Sequence, residues 1–258
     1  MEPRKIATRI DLLNCLIARR GYRRYLEIGC ENNECFNAVV CADKTGVDPR
    51  SGGTVRATSD AYFASLPVDA KPFDLVFIDG LHYCQQVQRD VDNSLRHLAP
   101  GGVLVLHDCN PPTPDFAVVP MPSPMRPWNG DVWRTIAAMR LHRGAQLDVA
   151  VGDFDWGCGV VVPRPSTDRN AARKRRLNDA LISIGRTPGD AAATAANWTT
   201  LPYAMLAAHR ADLLRLMIAD RLVHWIETGV EDTSDAAFVC APTPPIAAAA
   251  PDPPPANA

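Results

Sequence analysis

Between Tyr22 and Arg164, short apolar runs and amphipathic stretches alternate along the chain. YRRYLEIG (22–29) reads as a strand closed by glycine, NECFNAVVC (33–41) as a helix, and KTGVDP (44–49) as a second strand. FDLVFIDG (73–80) is a near-continuous apolar run that ends in Asp-Gly. GGVLVLHDC (101–109) is another, entered through a break at Pro100-Gly101-Gly102. Between them, YCQQVQRDVDNSLRHL (83–98) sets Val87, Val91, Leu95 and Leu98 on one face of a helix. DVWRTIAAMRLHR (131–143) predicts a further helix, and QLDVAVGDF (146–154) and WGCGVVVPR (156–164) predict two neighbouring antiparallel strands. Strands that are apolar throughout are buried on both faces, so the alternation predicts a parallel α/β sheet covered by helices. Ahead of it, Ile6, Ile10, Leu13 and Ile17 recur at helical spacing and predict an amphipathic first helix.

The rest of the chain divides by composition. NPPTPDFAVVPMPSPMRPWNG (110–130) is too proline-dense for regular structure, and a loop of that length inside a domain is usually functional. Residues 166–186 are polar, Arg-rich and helical in pattern, and 191–229 carry the apolar stripes of two helices. Beyond Asp235 the sequence degrades into Ala and Pro, which offer no apolar pattern able to offset the entropy of ordering. The expected organisation is a core domain over 1–164, a helical extension over 165–235 and a disordered tail over 236–258.

Composition narrows the function classes. Lys plus Arg number 27 and Asp plus Glu 29 in 258 residues, a net charge of −2 that gives no global pull toward nucleic acid or an anionic membrane. No apolar run approaches a bilayer span, and MEPRKIATRIDLLNCLIARR has no continuous apolar stretch of the kind a secretory signal needs. The eight cysteines form no CxxC pair, which argues against a paired-cysteine zinc site and for reduced thiols in the cytoplasm. The sequence leaves a homo-oligomer open.

In an open parallel sheet, ligands bind beyond the carboxyl ends of the strands. The residues that follow each predicted strand are Glu27 and Gly29, then Asp48, then Asp79 and His82, then His107, Asp108 and Asn110. Gly29 lets backbone approach a ligand closely, or is a plain turn glycine. Asp48 lies about twenty residues after Gly29, where an acidic side chain can hold two ribose hydroxyls; the alternative is an Asp-Pro turn. The GxGxxG of dinucleotide sites is absent, because positions 31 and 33 are Glu and Asn. Asp79, His82, His107 and Asp108 have the chemistry to bind a divalent cation or to move a proton.

YLEIGC (25–30), GVDP (46–49), GGT with TSD (52–54, 58–60), FDLVFIDGLH (73–82), RDVDNSLRHL (89–98), PGGVLVLHDCNPP (100–112), WNGDVW (128–133) and DWGCGVV (155–161) together resemble the class I S-adenosylmethionine-dependent methyltransferases. More narrowly, they resemble a bacterial group of O-methyltransferases found with glycan and natural-product genes. The resemblance covers roughly residues 20–165 and implies a Rossmann-like seven-stranded sheet of order 3-2-1-4-5-7-6 with the last strand antiparallel, followed here by the helical extension. It implies that Glu27 and Gly29 line the methionine end of S-adenosylmethionine, that Asp48 holds the ribose, that Ser59 and Asp60 sit beside the adenine, and that Asp79 lies under the reacting centre. In metal-dependent sugar O-methyltransferases an Asp-x-x-His step like Asp79–His82 supplies a metal ligand and a general base, and a Glu-Asp or Asp-Asn pair after the fifth strand completes the metal site. Here that pair reads His107-Asp108, a departure that leaves a metal-free site open. The expected activity is methyl transfer to a hydroxyl of a sugar or other small molecule. His82 is the expected base, with His107 and Asp108 the other catalytic candidates. Asp79, His107 and Asp108 are the candidate ligands for magnesium or another dication. The alternatives are a nucleotide-dependent oxidoreductase or sugar-modifying enzyme on a similar sheet, and a non-catalytic cofactor-binding protein. The loop 110–130 and the helices of 191–229 are the expected walls of the acceptor pocket, with Trp128 and Trp133 candidates for stacking on the acceptor and core packing an equal alternative for Trp133.

Overall fold

Seven strands form one sheet in a computed structural model that describes residues 6–123, 127–183 and 197–230. They are β1 (Arg24–Ile28), β2 (Asp43–Val47), β3 (Phe73–Ile78), β4 (Leu98–Leu106), β5 (Asp148–Gly152), β6 (Cys158–Val162) and β7 (Leu216–Met217). Their order is β2-β1-β3-β4-β6-β5-β7, and β6 is antiparallel to both of its neighbours. The helices are α1 (Arg9–Arg20), α2 (Glu34–Ala38), α3 (Ser59–Ser65), α4 (Cys84–Arg96), α5 (Val132–His142), α6 (Ala171–Ser183), α7 (Tyr203–Leu214) and α8 (Ala219–Thr228). The expected order is recovered with one exchange. The third strand of the 3-2-1-4-5-7-6 pattern shrinks to an isolated bridge between Val47 and Val55, and the short β7 is added at the opposite edge.

α1 begins where Thr8 caps it, with the Thr8 and Asp11 side chains each bonding the other's backbone N–H, and it stops at Gly21 with φ +66°. It buries Leu12, Leu13, Leu16 and Ile17 against Tyr25, Leu75, Phe77 and Val105 on one face of the sheet. The other face packs Leu26, Val76, Ile78 and Leu104 against Val87 and Val91 of α4 and Trp133 and Ile136 of α5. Trp133, 1% exposed, is a core residue and not part of an acceptor wall. One boundary differs from the sequence reading. β4 runs through Pro100-Gly101-Gly102 and starts at Leu98. Its ladder with β3 shifts register between Phe73 and Leu75, and Gly101 takes φ +80°, so the extra residues are absorbed as a bulge and the strand is not broken.

The described residues after 164 fold into the same cores. Leu177, Leu181, Leu206 and Leu213 join the cluster around α5, while Leu222, Trp225 and Ile226 join the α1 face. Arg215, fully buried, bonds Asp148 Oδ1 at 2.6 Å, and Trp225 Nε1 bonds Asp148 Oδ2 at 3.1 Å. Deleting 191–229 would therefore strip both cores, so it is not a clean test of acceptor binding. The Ala/Pro segment 236–258 lies outside the described residues.

At the carboxyl edge the ladder continues one residue past three strands. Gly29 N–H bonds the Val47 carbonyl at 2.9 Å, Asp79 N–H the Ile28 carbonyl at 2.8 Å, and His107 N–H the Ile78 carbonyl at 3.0 Å. Gly29 has φ +86°, and a Cβ there would lie 2.2 Å from the Asp79 carbonyl oxygen. Gly29→Ala should cost about 1–3 kcal/mol in overpacking and about 1–2 kcal/mol for the left-handed backbone. A urea titration that leaves the variant as stable as the parent would refute this close approach.

On the opposite side, Asp168 takes hydrogen bonds from Arg140 at 2.9 Å and Arg173 at 3.0 Å, all three well buried. Burial works to raise the Asp168 carboxyl, but Arg173 and Arg140 outweigh it and hold the group well below the ordinary carboxylate range. Its contribution is full above the unfolded value of about 4 and is lost as pH falls toward the folded value. Asp168→Asn should destabilise the protein by about 3–5 kcal/mol at neutral pH. It should also flatten the fall of melting temperature below pH ~4. Parallel curves for parent and variant in that range would rule this out.

Candidate active site

The strand exits deliver their side chains to one place. Asp79 follows β3, and three basic side chains converge on it. His82 Nε2 lies 3.4 Å from Asp79 Oδ1, His107 Nδ1 lies 3.4 Å from the same oxygen, and Arg9 Nε lies 3.9 Å from Asp79 Oδ2. Asp108, which follows β4, faces both imidazoles, with Oδ2 3.3 Å from His82 Nδ1 and 3.4 Å from His107 Nδ1. Asp155, in the β5–β6 turn, closes the group, with Oδ1 3.6 Å from His107 Nε2. Three carboxylates and three basic side chains thus interlock at the carboxyl edge of the sheet.

The charges answer to this packing. Burial works to raise the Asp79 carboxyl, but His107 and His82 hold it far below the ordinary range. Burial works to lower both imidazoles, yet Asp79 and Asp108 hold His82 above its usual value, and Asp79, Asp108 and Asp155 hold His107 well above it. His82 Nδ1 lies 3.0 Å from the Trp128 carbonyl, which can only accept, so that nitrogen carries a proton. The exchangeable proton of His82 is therefore the one on Nε2. His107 differs. Its side chain is 5% exposed against 17% for His82, and both of its nitrogens are buried with no hydrogen bond.

The loop before α5 wraps His82. Trp128 stacks on the His82 ring at 5.2 Å between centroids, and Tyr83 meets the Trp128 edge at 5.6 Å. Asp131 N–H bonds the His82 carbonyl at 3.1 Å, and the tight pass at Gly130 leaves 2.1 Å between a notional Cβ and that same oxygen. Asn129, fully buried, donates to Asp108 Oδ1 at 2.6 Å and steadies a residue whose φ is +59°. Further along, Arg210 of α7 bonds the Asn110 side chain and the Pro111 carbonyl, and Tyr203 Oη bonds Pro111 at 3.2 Å.

The remaining expected residues are spread out. Glu27 is 1% exposed, accepts the Tyr25 hydroxyl at 2.5 Å, and is pushed by burial up to about 7. Asp48 is committed to backbone. Its Oδ2 accepts Cys30 and Glu31 N–H at 3.1 and 3.0 Å, and its Oδ1 accepts Arg50 and Ser51 N–H at 2.7 and 2.9 Å. Although burial works to raise its carboxyl, those four bonds hold it below the usual value. They fill about all the lone-pair sites a carboxylate has, so any ribose hydroxyl must share its oxygens. Ser59 and Asp60 face α4: Gln86 Nε2 lies 3.2 Å from Ser59 Oγ, and Arg89 Nε lies 3.3 Å from Asp60 Oδ2.

Asp79, His82 and Asp108 each offer one ligand atom within 4.8 Å of the others. This group includes His82, while His107, the third ligand of the sequence reading, has its Nδ1 3.4 Å from both Asp79 and Asp108. Two carboxylates and an imidazole suit a first-row dication at least as well as magnesium. Arg9, Asp155 and Asn129 escaped the sequence reading. Arg9 sits in a helix pattern far upstream. Asp155 shared a turn with Trp156 and Gly157, and its one sequence signal was a carboxylate between two predicted strands.

No curated protein matches this chain. A family model described as a methyltransferase domain matches residues 19–109, which run from the end of α1 to the residue after Asp108. Among solved structures, the chain is similar to the sugar N-methyltransferase KedS8 from Streptoalloteichus sp, with 22% identity over 39% of this chain and 47% of that one and a TM-score of 0.31; it thus spans less than half of that protein. It is also similar to an O-methyltransferase from Bacillus cereus in complex with SAH, with 14% identity over 63% and 84% of the two chains and a TM-score of 0.43. A third is the O-methyltransferase TomG from Streptomyces achromogenes, with 18% identity over 59% and 78% and a TM-score of 0.42. The family match places a methyltransferase-domain signature in residues 19–109, on a sheet with one antiparallel strand and the order β2-β1-β3-β4-β6-β5-β7.

Proposed function

We propose that the chain is a class I S-adenosylmethionine-dependent methyltransferase acting on a hydroxyl of a sugar or other small molecule, and that His82 takes the hydroxyl proton. The observation that carries the proposal is His82 itself. It is the more exposed of the two clustered imidazoles, its Nδ1 is tied to a carbonyl, and its Nε2 is left to exchange a proton beside Asp79. Methyl transfer is an in-line displacement in which the sulfonium loses its charge, so the enzyme's main tasks are to align the acceptor and remove one proton. Asp79 and Asp108 orient the imidazole, and His107 keeps the buried site electrically balanced. The aromatic wall of Trp128 and Tyr83 beside His82 offers a flat apolar face of the kind that sugar C–H groups stack against.

On this reading Glu27 and Gly29 border the methionine end of the cofactor, Asp48 the ribose, Ser59 and Asp60 the adenine, and Asp79 the reacting centre. Seven free cysteines among the described residues fit a cytoplasmic protein, and no described helix is long and apolar enough to cross a membrane. A dication held by Asp79, His82 and Asp108 is the second reading, favoured by their mutual spacing. When bound, it would polarise the acceptor oxygen as a Lewis acid.

His82→Ala should lower kcat by about 10²–10⁴-fold and leave S-adenosylhomocysteine affinity within about twofold. Single-turnover assays with a panel of hydroxylated acceptors, alongside calorimetry, would measure both, and a variant with full kcat would remove His82 from the chemistry. Asp108→Asn in the presence and absence of EDTA separates the two readings. A metal-dependent parent loses activity in EDTA and regains it with added dication. An EDTA-resistant parent leaves the proton transfer to His82 alone.

A further inference from the structure

Arg9 is the first residue of α1, about seventy positions upstream of the cluster that it enters. Its main-chain N–H bonds Asp155 Oδ2 at 2.6 Å, and its Nη1 bonds both Asp155 oxygens at 3.3 and 3.2 Å. Those bonds fix the guanidinium by one nitrogen. Its Nε is buried and has no hydrogen-bond partner, and the described residues supply none to Nη2. The nearest acceptor on that edge, Asp79 Oδ2, stands 3.9 Å from Nε, near enough for an ion pair but too far for a hydrogen bond. An arginine whose Nε–Nη2 edge is left open presents two parallel N–H donors, the geometry that pairs with a carboxylate.

The backbone around Asp155 supports a built arrangement. Asp155 and Trp156 both take left-handed conformations, with φ +47° and +62°, and Gly157 follows at +92°. Such conformations persist in non-glycine residues when the surroundings impose them, and here they aim the Asp155 carboxylate at Arg9 and His107. Glu27 lies within electrostatic reach of both Arg9 and Asp79. One guanidinium with an open edge, beside two acidic side chains, complements a group that carries a carboxylate and an ammonium on one carbon.

We infer that Arg9 anchors the α-carboxylate of the methionine end of S-adenosylmethionine, with Asp155 as the positioning residue that holds its guanidinium in place. This rests on the cofactor placement given above, in which Glu27 and Gly29 border the methionine end. Arg9 then couples α1 to cofactor binding, which strand-exit residues alone do not do.

The test uses the full chain and two probes in calorimetry. S-adenosylhomocysteine carries the α-amino acid, and 5′-methylthioadenosine keeps the adenosine and sulfur but lacks it. Arg9→Ala should weaken S-adenosylhomocysteine about 10- to 100-fold, the loss of a charge-assisted bidentate pair, and leave methylthioadenosine within about twofold. Arg9→Lys should fall between, since it restores the charge without the fork. Equal weakening of both probes would make Arg9 a structural tie and overturn the inference, as would an unchanged affinity for S-adenosylhomocysteine. If Arg9→Ala does not fold, Arg9→Lys alone decides by the same difference between probes. A parent that binds neither probe overturns the cofactor placement itself, an outcome that no comparison between variants could mimic.

Discussion

Three basic side chains meet on the carboxylate of Asp79, and the rest of the site follows from burying that meeting. A lone carboxylate at this depth would take up a proton; a lone imidazolium would lose one. Interlocked, Asp79 and Asp108 raise His82; Asp79, Asp108 and Asp155 raise His107; and the two imidazoles lower Asp79. The members come from α1, from the exits of β3 and β4, and from the β5–β6 turn. The cluster therefore exists only when four distant segments are in place.

That condition needs a scaffold with little slack. Gly29 passes so close to the Asp79 carbonyl that no side chain fits between them, and one hydrogen bond past each strand keeps the three exits in step. Behind the sheet edge, the late helices do more than decorate the domain. Arg215 and Trp225 both reach the buried Asp148 at the start of β5, and Arg210 holds the segment after Asp108. The composition boundary near 164 is thus a change in sequence character and not a gap in packing.

Much of this was legible in the chain. Buried strands announce themselves by continuous apolar runs and helices by their stripes, so the parallel sheet, the antiparallel pair at its end and the polar strand exits could be read directly. The same logic gathered Glu27, Gly29, Asp48, Asp79, His82, His107 and Asp108 at one edge. It could not say how each was spent. Asp48 gives its oxygens to four backbone N–H groups, Trp133 goes to the core, and Trp128 stacks on His82.

What the sequence determined by itself is therefore the set of elements and the edge where chemistry collects, because period and strand-end position are local properties. What only the tertiary structure decided is partnership. Arg9 and Asp155 lie 146 positions apart and meet because α1 crosses the sheet beneath the β5–β6 turn. His82 and His107 look alike in the chain, and they diverge because Trp128 and Asn129 wrap one while the core closes over the other. Contacts of that range are set by how the faces pack, and no spacing along the chain encodes them.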